Sequence, residues 1–541
     1  MIGKTIERNF SIHSSDTHDL TSKIRMKASL LLVPLLMCGS ALAADILVVL
    51  PLPFTSHVLT FKPLFVELAN RGHNVTYIGA LSLPETQNFH QTIVRNSSID
   101  DLLERLVEKL RATDQWGFLS YFWQYGSQLM DIMLDHPALQ NLIQDESLHF
   151  DVVITEPYFL HEPLVALGHK FNAPVIGIFP LSPTIWGSYL SGNLMPFSYV
   201  PSYKTAFTDH MTLTERIHNT LIQLYEFIGT KYYYLPKQEE VVRNKMKFKG
   251  AESLPSLQSM LKNVSLNLID YHYSSGYNRP FENNILQVGG LSLARAKGEP
   301  LDKELSELMD KSKGVIYFSL GSHVKTSELG EDAVQEIVKA FAQLSDYQIF
   351  MKWDGDFQPT GLPPNVKLSK WFPQPSVLGH PKTKVMIGHG GLHGIMECIH
   401  HGVPFIGIPQ FSDQESNTRF VISSGFGLRV GKEELTSEKL LGAVRALLTE
   451  PRYKENAVKR SLIARDRVMA PLDLAVYGVE YVLRHKGAPH LRPAVLDLPW
   501  YQYLLVDVLF ITIVVPLVVI FIVLKLATWC RPFPPNATPR K

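Results

Sequence analysis

Between Lys384 and Ile408 the chain passes from one short apolar run, Lys384 to Ile387, through a glycine cluster to a second, Pro404 to Ile408. Room for about three helical turns lies between them. Two buried parallel strands joined by a crossover helix account for this pattern, which makes it one βαβ unit. In such units ligands bind beyond the carboxyl ends of the strands. The polar residues gather there: His389, Gly390, Gly391 and His393 after the first run, Asp413 and Gln414 after the second. A glycine-rich turn feeding a helix lets backbone N–H groups approach a phosphate, with the helix dipole favouring the negative charge.

The same alternation recurs on both sides of this unit. From Ala44 the chain reads as a buried strand, a loop carrying His57, a helix and a second strand, and Phe150 to Glu156 and Pro174 to Pro180 are further strands. Past Val288 come strands at Gly314 to Leu320, Gln348 to Trp353 and Val366 to Ser369, with helices at Ala333 to Leu344 and Thr436 to Leu448. Strands alternating with helices argue an α/β fold with parallel sheets. With 541 residues and 45% hydrophobic content the chain can hold two such domains and further segments.

The glycine cluster has other readings. Gly388, Gly390 and Gly394 followed by Asp413 imitate a dinucleotide-binding fingerprint, which leaves Trp371, Gln374 and Gln414 unused. His389, His393 and Glu397 have the spacing of metal ligands on one helix face, but Gly390 and Gly391 oppose a helix extending back to His389. The plainest alternative is a βαβ unit that holds nothing.

The ordered set Trp371, Gln374, His389, Gly390, Gly391, Gly394, Glu397, Pro409, Asp413 and Gln414 resembles the signature segment of the UDP-glycosyltransferases, the animal membrane-bound group in particular. The resemblance implies two facing Rossmann-like domains of the GT-B type. It implies that Trp371 stacks on uracil and Gln374 helps bind the nucleoside. His389 and the glycine amides meet the diphosphate, Glu397 takes ribose hydroxyls, and Asp413 with Gln414 grips the sugar. Each role suits its chemistry: a flat ring for a base, N–H donors for an anion, carboxylate and amide for a polyol. Ser322, beside Gly321, resembles the loop at the donor diphosphate. His57 matches the family's general base, and Glu156 stands where the family commonly has the aspartate that orients it. The chain also has Gly388 where Ser or Thr is frequent, and His393 where Asn is usual; an imidazole there can still donate to a phosphate oxygen. No metal or other cofactor is expected, since amide donors and a helix terminus serve the leaving diphosphate.

The termini add a membrane. Lys23, Arg25 and Lys27 precede an apolar run, Ala28 to Met37, and small residues to Ala44, a secretory signal peptide for which Met26 is an alternative start. Leu504 to Leu524 is long and apolar enough to cross a bilayer, and Lys525 and Arg531 keep the tail cytosolic. The expected plan is a leader over 1–43, an acceptor-binding domain over 44–287, a UDP-sugar-binding domain over 288–470, a returning helix and pre-membrane segment over 471–503, a transmembrane helix over 504–524 and a tail over 525–541. The body is expected in the lumen of the endoplasmic reticulum as a single-pass type I protein.

Cys38, Cys398 and Cys530 fall in leader, body and tail, so no disulfide is expected within the luminal body. Asn96 and Asn263 open luminal glycosylation sequons. A net charge of +1 without a basic cluster gives no reason to expect nucleic acid; self-association is left open. The function implied is inverting transfer of a hexose to a small lipophilic alcohol or phenol. Glucose is favoured because Asp270, Tyr271 and His272 stand near a place where glucuronosyl enzymes often carry arginine. The alternatives are an inactive membrane-anchored UDP-sugar binder and a nucleotide-dependent oxidoreductase.

Overall fold

The computed structural model of the chain describes residues 43–293, 301–321, 325–355 and 358–530. The leader, Ser322 and the end of the tail lie outside the described residues. Two parallel sheets carry the body. The first contains β1 (Asp45–Leu50), β2 (Asn74–Gly79), β3 (Phe89–Ile93), β4 (Val152–Thr155), β5 (Val175–Phe179), β6 (Leu266–Ile269) and β7 (Ile285–Gln287), in the order β3-β2-β1-β4-β5-β6-β7. The second contains β8 (Val315–Ser319), β9 (Gln348–Lys352), β10 (Val366–Ser369), β11 (Thr383–Gly388), β12 (Phe405–Gly407) and β13 (Gly427–Arg429), in the order β10-β9-β8-β11-β12-β13. Both orders reverse direction at the centre of the sheet, beside β1 and β8, and such switch points open a crevice at the strands' carboxyl edge.

The helices that position the site are α1 (Thr55–Asn70), α2 (Ser97–Arg111), α3 (Gln115–Leu134), α4 (Leu213–Gly229), α5 (Leu392–His401), α6 (Gln414–Ser423), α7 (Pro451–Arg465) and α8 (Pro471–Arg484). β1, β4 and β5 read as unbroken apolar runs because helices cover both faces of their sheet. On one face, Phe61, Leu64, Phe65 and Leu68 of α1 interlock with Leu472, Val476 and Val479 of α8 in a single core. A segment that follows the second sheet in sequence therefore completes the first sheet's core. The other face is covered by α3 and by Leu139, Leu142 and Ile143 of the short helix that follows it.

α4 carries an apolar stripe that packing leaves uncovered: Leu213, Ile217, Leu221, Leu224 and Ile228 are all exposed. One apolar helical stretch, Val506–Trp529, is 24 residues long. At about 1.5 Å per residue it exceeds the roughly 30 Å hydrocarbon layer. It starts and ends later than the run expected from sequence, because Leu505 takes a left-handed backbone (φ 54°) that breaks the chain from the helical turn before it. Just ahead of Pro516, whose ring cannot donate a backbone N–H, the helix widens into a π-turn over Phe510–Val514. Cys398 is buried and Cys530 exposed, both unpaired.

Candidate active site

β1 ends at Leu50 and α1 begins at Thr55, so the imidazole of His57 sits in the first turn of α1 at the carboxyl edge of the sheet. Phe54 and Phe159 flank it at 5.2 and 5.1 Å between ring centres. β4 pairs directly with β1, and Glu156 is the residue that follows β4. Two residues 99 apart in sequence are thus adjacent, with His57 Nδ1 3.0 Å from each carboxylate oxygen of Glu156. The longer side chain, where the family it resembles commonly has aspartate, reaches the ring.

Glu156 is fully buried, and burial pushes its carboxyl up to about 8, with nearby His161 pulling the other way. Burial also lowers His57 to about 3; His393 adds to this and Asp413 opposes it. The imidazole is neutral at neutral pH, the form a general base requires. When Glu156 is ionised, Nδ1–H donates to it and Nε2 keeps its lone pair.

The other half of the site lines the carboxyl edge of the second sheet. Trp371 follows β10 and is 62% exposed, on a backbone pinned by Ser369, whose Oγ donates to the Trp371 carbonyl at 2.7 Å. Gln374 Nε2 donates to Glu397 Oε2, joining the two residues expected to meet the nucleoside. His389, Gly390 and Gly391 form the turn between β11 and α5. Gly390 has φ +86°, and a Cβ on it would lie 2.7 Å from the Gln414 carbonyl oxygen, so the turn accepts no side chain there. Gly321, at φ +89°, closes from the end of β8 onto the His389 ring, which a Cβ would strike at 2.6 Å. Gly391 is the N-cap of α5, placing the helix's first N–H groups at this turn, with His393 and Gly394 in the opening turn and Glu397 one turn later. His389 lies outside the helix, as the glycines require.

Asp413 accepts from Asn417 Nδ2 at 2.7 Å, after Ser412 in a left-handed conformation (φ 64°). Gln414 is buried, with its Oε1 accepting from the Gln410 N–H at 2.8 Å.

The two edges meet. His393 Nε2 lies 2.5 Å from Thr60 Oγ1, one turn after His57, and 3.2 Å from Asp270 Oδ2 at the end of β6. Burial is the largest influence on His393 and disfavours its charge, but the bond to Asp270 together with the charges of Asp270, Glu397 and Asp413 outweighs it and the pKa is raised. Arg111 Nη1 donates to Glu328 Oε2 at 2.9 Å, and Phe411 packs against the cores of both halves. Asp413 is thereby close enough to His57 to act on it electrostatically.

The family model "UDP-glucoronosyl and UDP-glucosyl transferase" matches residues 45–533. This chain belongs to that family. The transferase is 34% identical to a UDP-glycosyltransferase of Dactylopius coccus, UGT4, over 88% of this chain and 93% of the relative. It is 36% identical to human UDP-glucuronosyltransferase 2A2, over 88% and 91%. Among solved structures, the glycosyltransferase VinC in complex with DTDP matches with a TM-score of 0.54 at 18% identity, over 82% of this chain and 100% of that one. Os79 from O. sativa in complex with UDP matches at 0.51 and 15%, over 80% and 100%. These confirm the GT-B fold, and family membership makes the protein an enzyme that transfers sugar from a UDP-sugar.

Thr60 and His161 at this site were not anticipated from sequence, and the bonding role of Asp270 was not either. Thr60 lies one turn after His57 and His161 five residues after Glu156, but neither carries a motif of its own, and Asp270 reaches His393 only through the packing of distant segments. One consequence concerns the indole. Replacing Trp371 by alanine is expected to weaken UDP binding by about tenfold, as loss of one base-stacking face does, and replacement by phenylalanine to recover most of it. Isothermal titration with UDP measures both.

Proposed function

We propose that the transferase moves glucose from UDP-glucose to a hydroxyl of a small lipophilic acceptor, with inversion at the anomeric carbon. The observation that carries this reading is the buried His57–Glu156 pair, walled by Phe54 and Phe159 and close to Asp413. Nε2 of His57 takes the acceptor proton as the oxygen attacks the anomeric carbon and the bond to UDP breaks. Glu156 steadies the imidazolium so formed. The leaving diphosphate is received by the amides of Gly390 and Gly391, by His389 and by the start of α5, without need of a divalent ion. Trp371 holds uracil, Gln374 and Glu397 the ribose, and Asp413 with Gln414 the hexose. His393, bonded to Asp270 and Thr60, is suited to steady the closed cleft and to donate to the diphosphate.

An uncharged hexose is favoured because Asp270, which accepts from the Gly290 N–H at 2.9 Å, engages His393 at 3.2 Å and so leaves that imidazole less free to pair with a uronic carboxylate. The apolar stretch Val506–Trp529 and the uncovered stripe of α4 support a body held at a membrane, which we place in the endoplasmic reticulum with the tail cytosolic.

Membranes containing the full chain, given 2-naphthol and either UDP-glucose or UDP-glucuronate, test this. The expected outcome is a β-glucoside, formed at least about tenfold faster than the glucuronide and at an unchanged rate with EDTA, as one well-bonded polar group discriminates. Tight UDP binding without transfer of any sugar would instead mark an inactive binder.

A further inference from the structure

A row of rings leads away from His57. Phe159 lies 5.1 Å from it, Phe122 of α3 5.1 Å from Phe159, and Phe118, one turn earlier on α3, 6.4 Å from Phe122. At the end of the row stands an ammonium group, Lys204 Nζ, over the face of Phe118 and 4.3 Å from the Tyr203 ring centre. Lys204 is only 9% exposed, and its Nζ has no hydrogen-bond partner among the described residues. A buried ammonium without a bonded partner is costly, and native interiors rarely leave one so. Glu226 on α4, itself 5% exposed, and Asp413 on the donor loop bring negative charge near it without bonding to it. Burial accordingly pushes Lys204 well below the ordinary lysine range, against the pull of both carboxylates. A cation at the far end of a row of mutually tilted rings that begins at a proton acceptor is a two-point frame for an aromatic acid.

We propose that Lys204 anchors a substrate carboxylate, so that the preferred acceptors are hydroxy-aromatic acids. The hydroxyl lies at His57, the rings run along Phe159 and Phe122, and the carboxylate bonds to the ammonium. This rests on reading that row as the acceptor wall of the transferase proposed above. Because Asp413 also faces Lys204, a uronic acid on the donor is the other source of the same group, and the experiment separates the two.

The full-length protein in detergent is given 6-hydroxy-2-naphthoate or its methyl ester, with UDP-glucose and with UDP-glucuronate. Binding of each acceptor is followed in parallel by quenching of intrinsic tryptophan fluorescence. The expected result is a preference for the acid over the ester of about tenfold in kcat/KM and in Kd, the worth of one charge-assisted hydrogen bond. It should fall to about one in Lys204→Met, through KM more than kcat, and be largely kept in Lys204→Arg. A Lys204-dependent preference for UDP-glucuronate, with acid and ester alike, assigns the carboxylate to the donor. UDP affinity checks that each variant is folded. Acid and ester treated alike with either donor, or a preference that survives Lys204→Met, overturns the proposal while transfer to the ester keeps the transferase reading. Lys204-dependent binding of the acid without transfer of any sugar does the reverse.

Discussion

His57→Ala is expected to lower kcat by about a thousandfold, within the range general-base catalysis contributes, while the Kd for UDP stays within about twofold. The reason is spatial. His57 belongs to the first half and bonds there to Glu156, whereas the described residues expected to hold the nucleotide lie on the second sheet's edge. A factor of a thousand is about 4 kcal/mol of transition-state stabilisation, more than the loss of ring packing alone would give to kcat. Single-turnover rates with a saturating phenol, alongside calorimetry with UDP, separate the two quantities. A parallel loss of UDP affinity would show that His57 supports the donor half rather than the chemistry.

The second large effect belongs to Glu156, and its sign follows from where one proton resides. Below about pH 8 the buried carboxyl of Glu156 is protonated. It then donates to Nδ1, the ring carries its hydrogen on Nε2, and no lone pair faces the acceptor. Above that pH the carboxylate accepts from Nδ1–H and Nε2 becomes the base. kcat/KM should therefore rise with pH through about 8 and level off, falling about tenfold per unit on the acid side. His57 itself, at about 3, titrates too low to shape that limb. Glu156→Gln keeps the size of the side chain but not its charge, and should cost about a thousandfold at pH 8.5 or more and abolish the limb, as losing the orienting acid of such a pair does. Glu156→Asp should keep a limb while losing about tenfold, because the shorter side chain no longer spans 3.0 Å to the ring. A pH profile in Glu156→Gln identical to wild type would remove this residue from the mechanism.

The architecture was largely legible because its strands are short apolar runs at regular spacing. β8, β10 and β11 form within a residue or so of the runs read from sequence, and the glycines at 390 and 391 do keep His389 out of the helix. β6 and β7 escaped notice for a physical reason: they have four and three residues, and β6 carries the buried Asn267 in its middle, which breaks the apolar run. β3 is an edge strand with only its first residue buried. The pairing of His57 with Glu156 was expected only through resemblance, since nothing local links residues so far apart. Lys204 and Glu226 were illegible: each is an ordinary residue whose surroundings come mostly from segments distant in sequence. The apolar character of Phe118 and Phe122 gave no means to tell a wall from a core.

The contribution of α8 to the first sheet's core has a bearing on biogenesis. Leu472, Val476 and Val479 emerge from the ribosome only after the entire second sheet has been made. Domains ordinarily close in the order of synthesis. Here the earlier one leaves the exit tunnel with Phe61 and Phe65 bare on one side, and is sealed only when the stretch ahead of Val506–Trp529 arrives. A nascent chain is therefore expected to keep that apolar face uncovered for longer than the length of its leading domain would suggest, and truncation ahead of residue 471 is expected to give a protein whose defect lies at the opposite end from the cut.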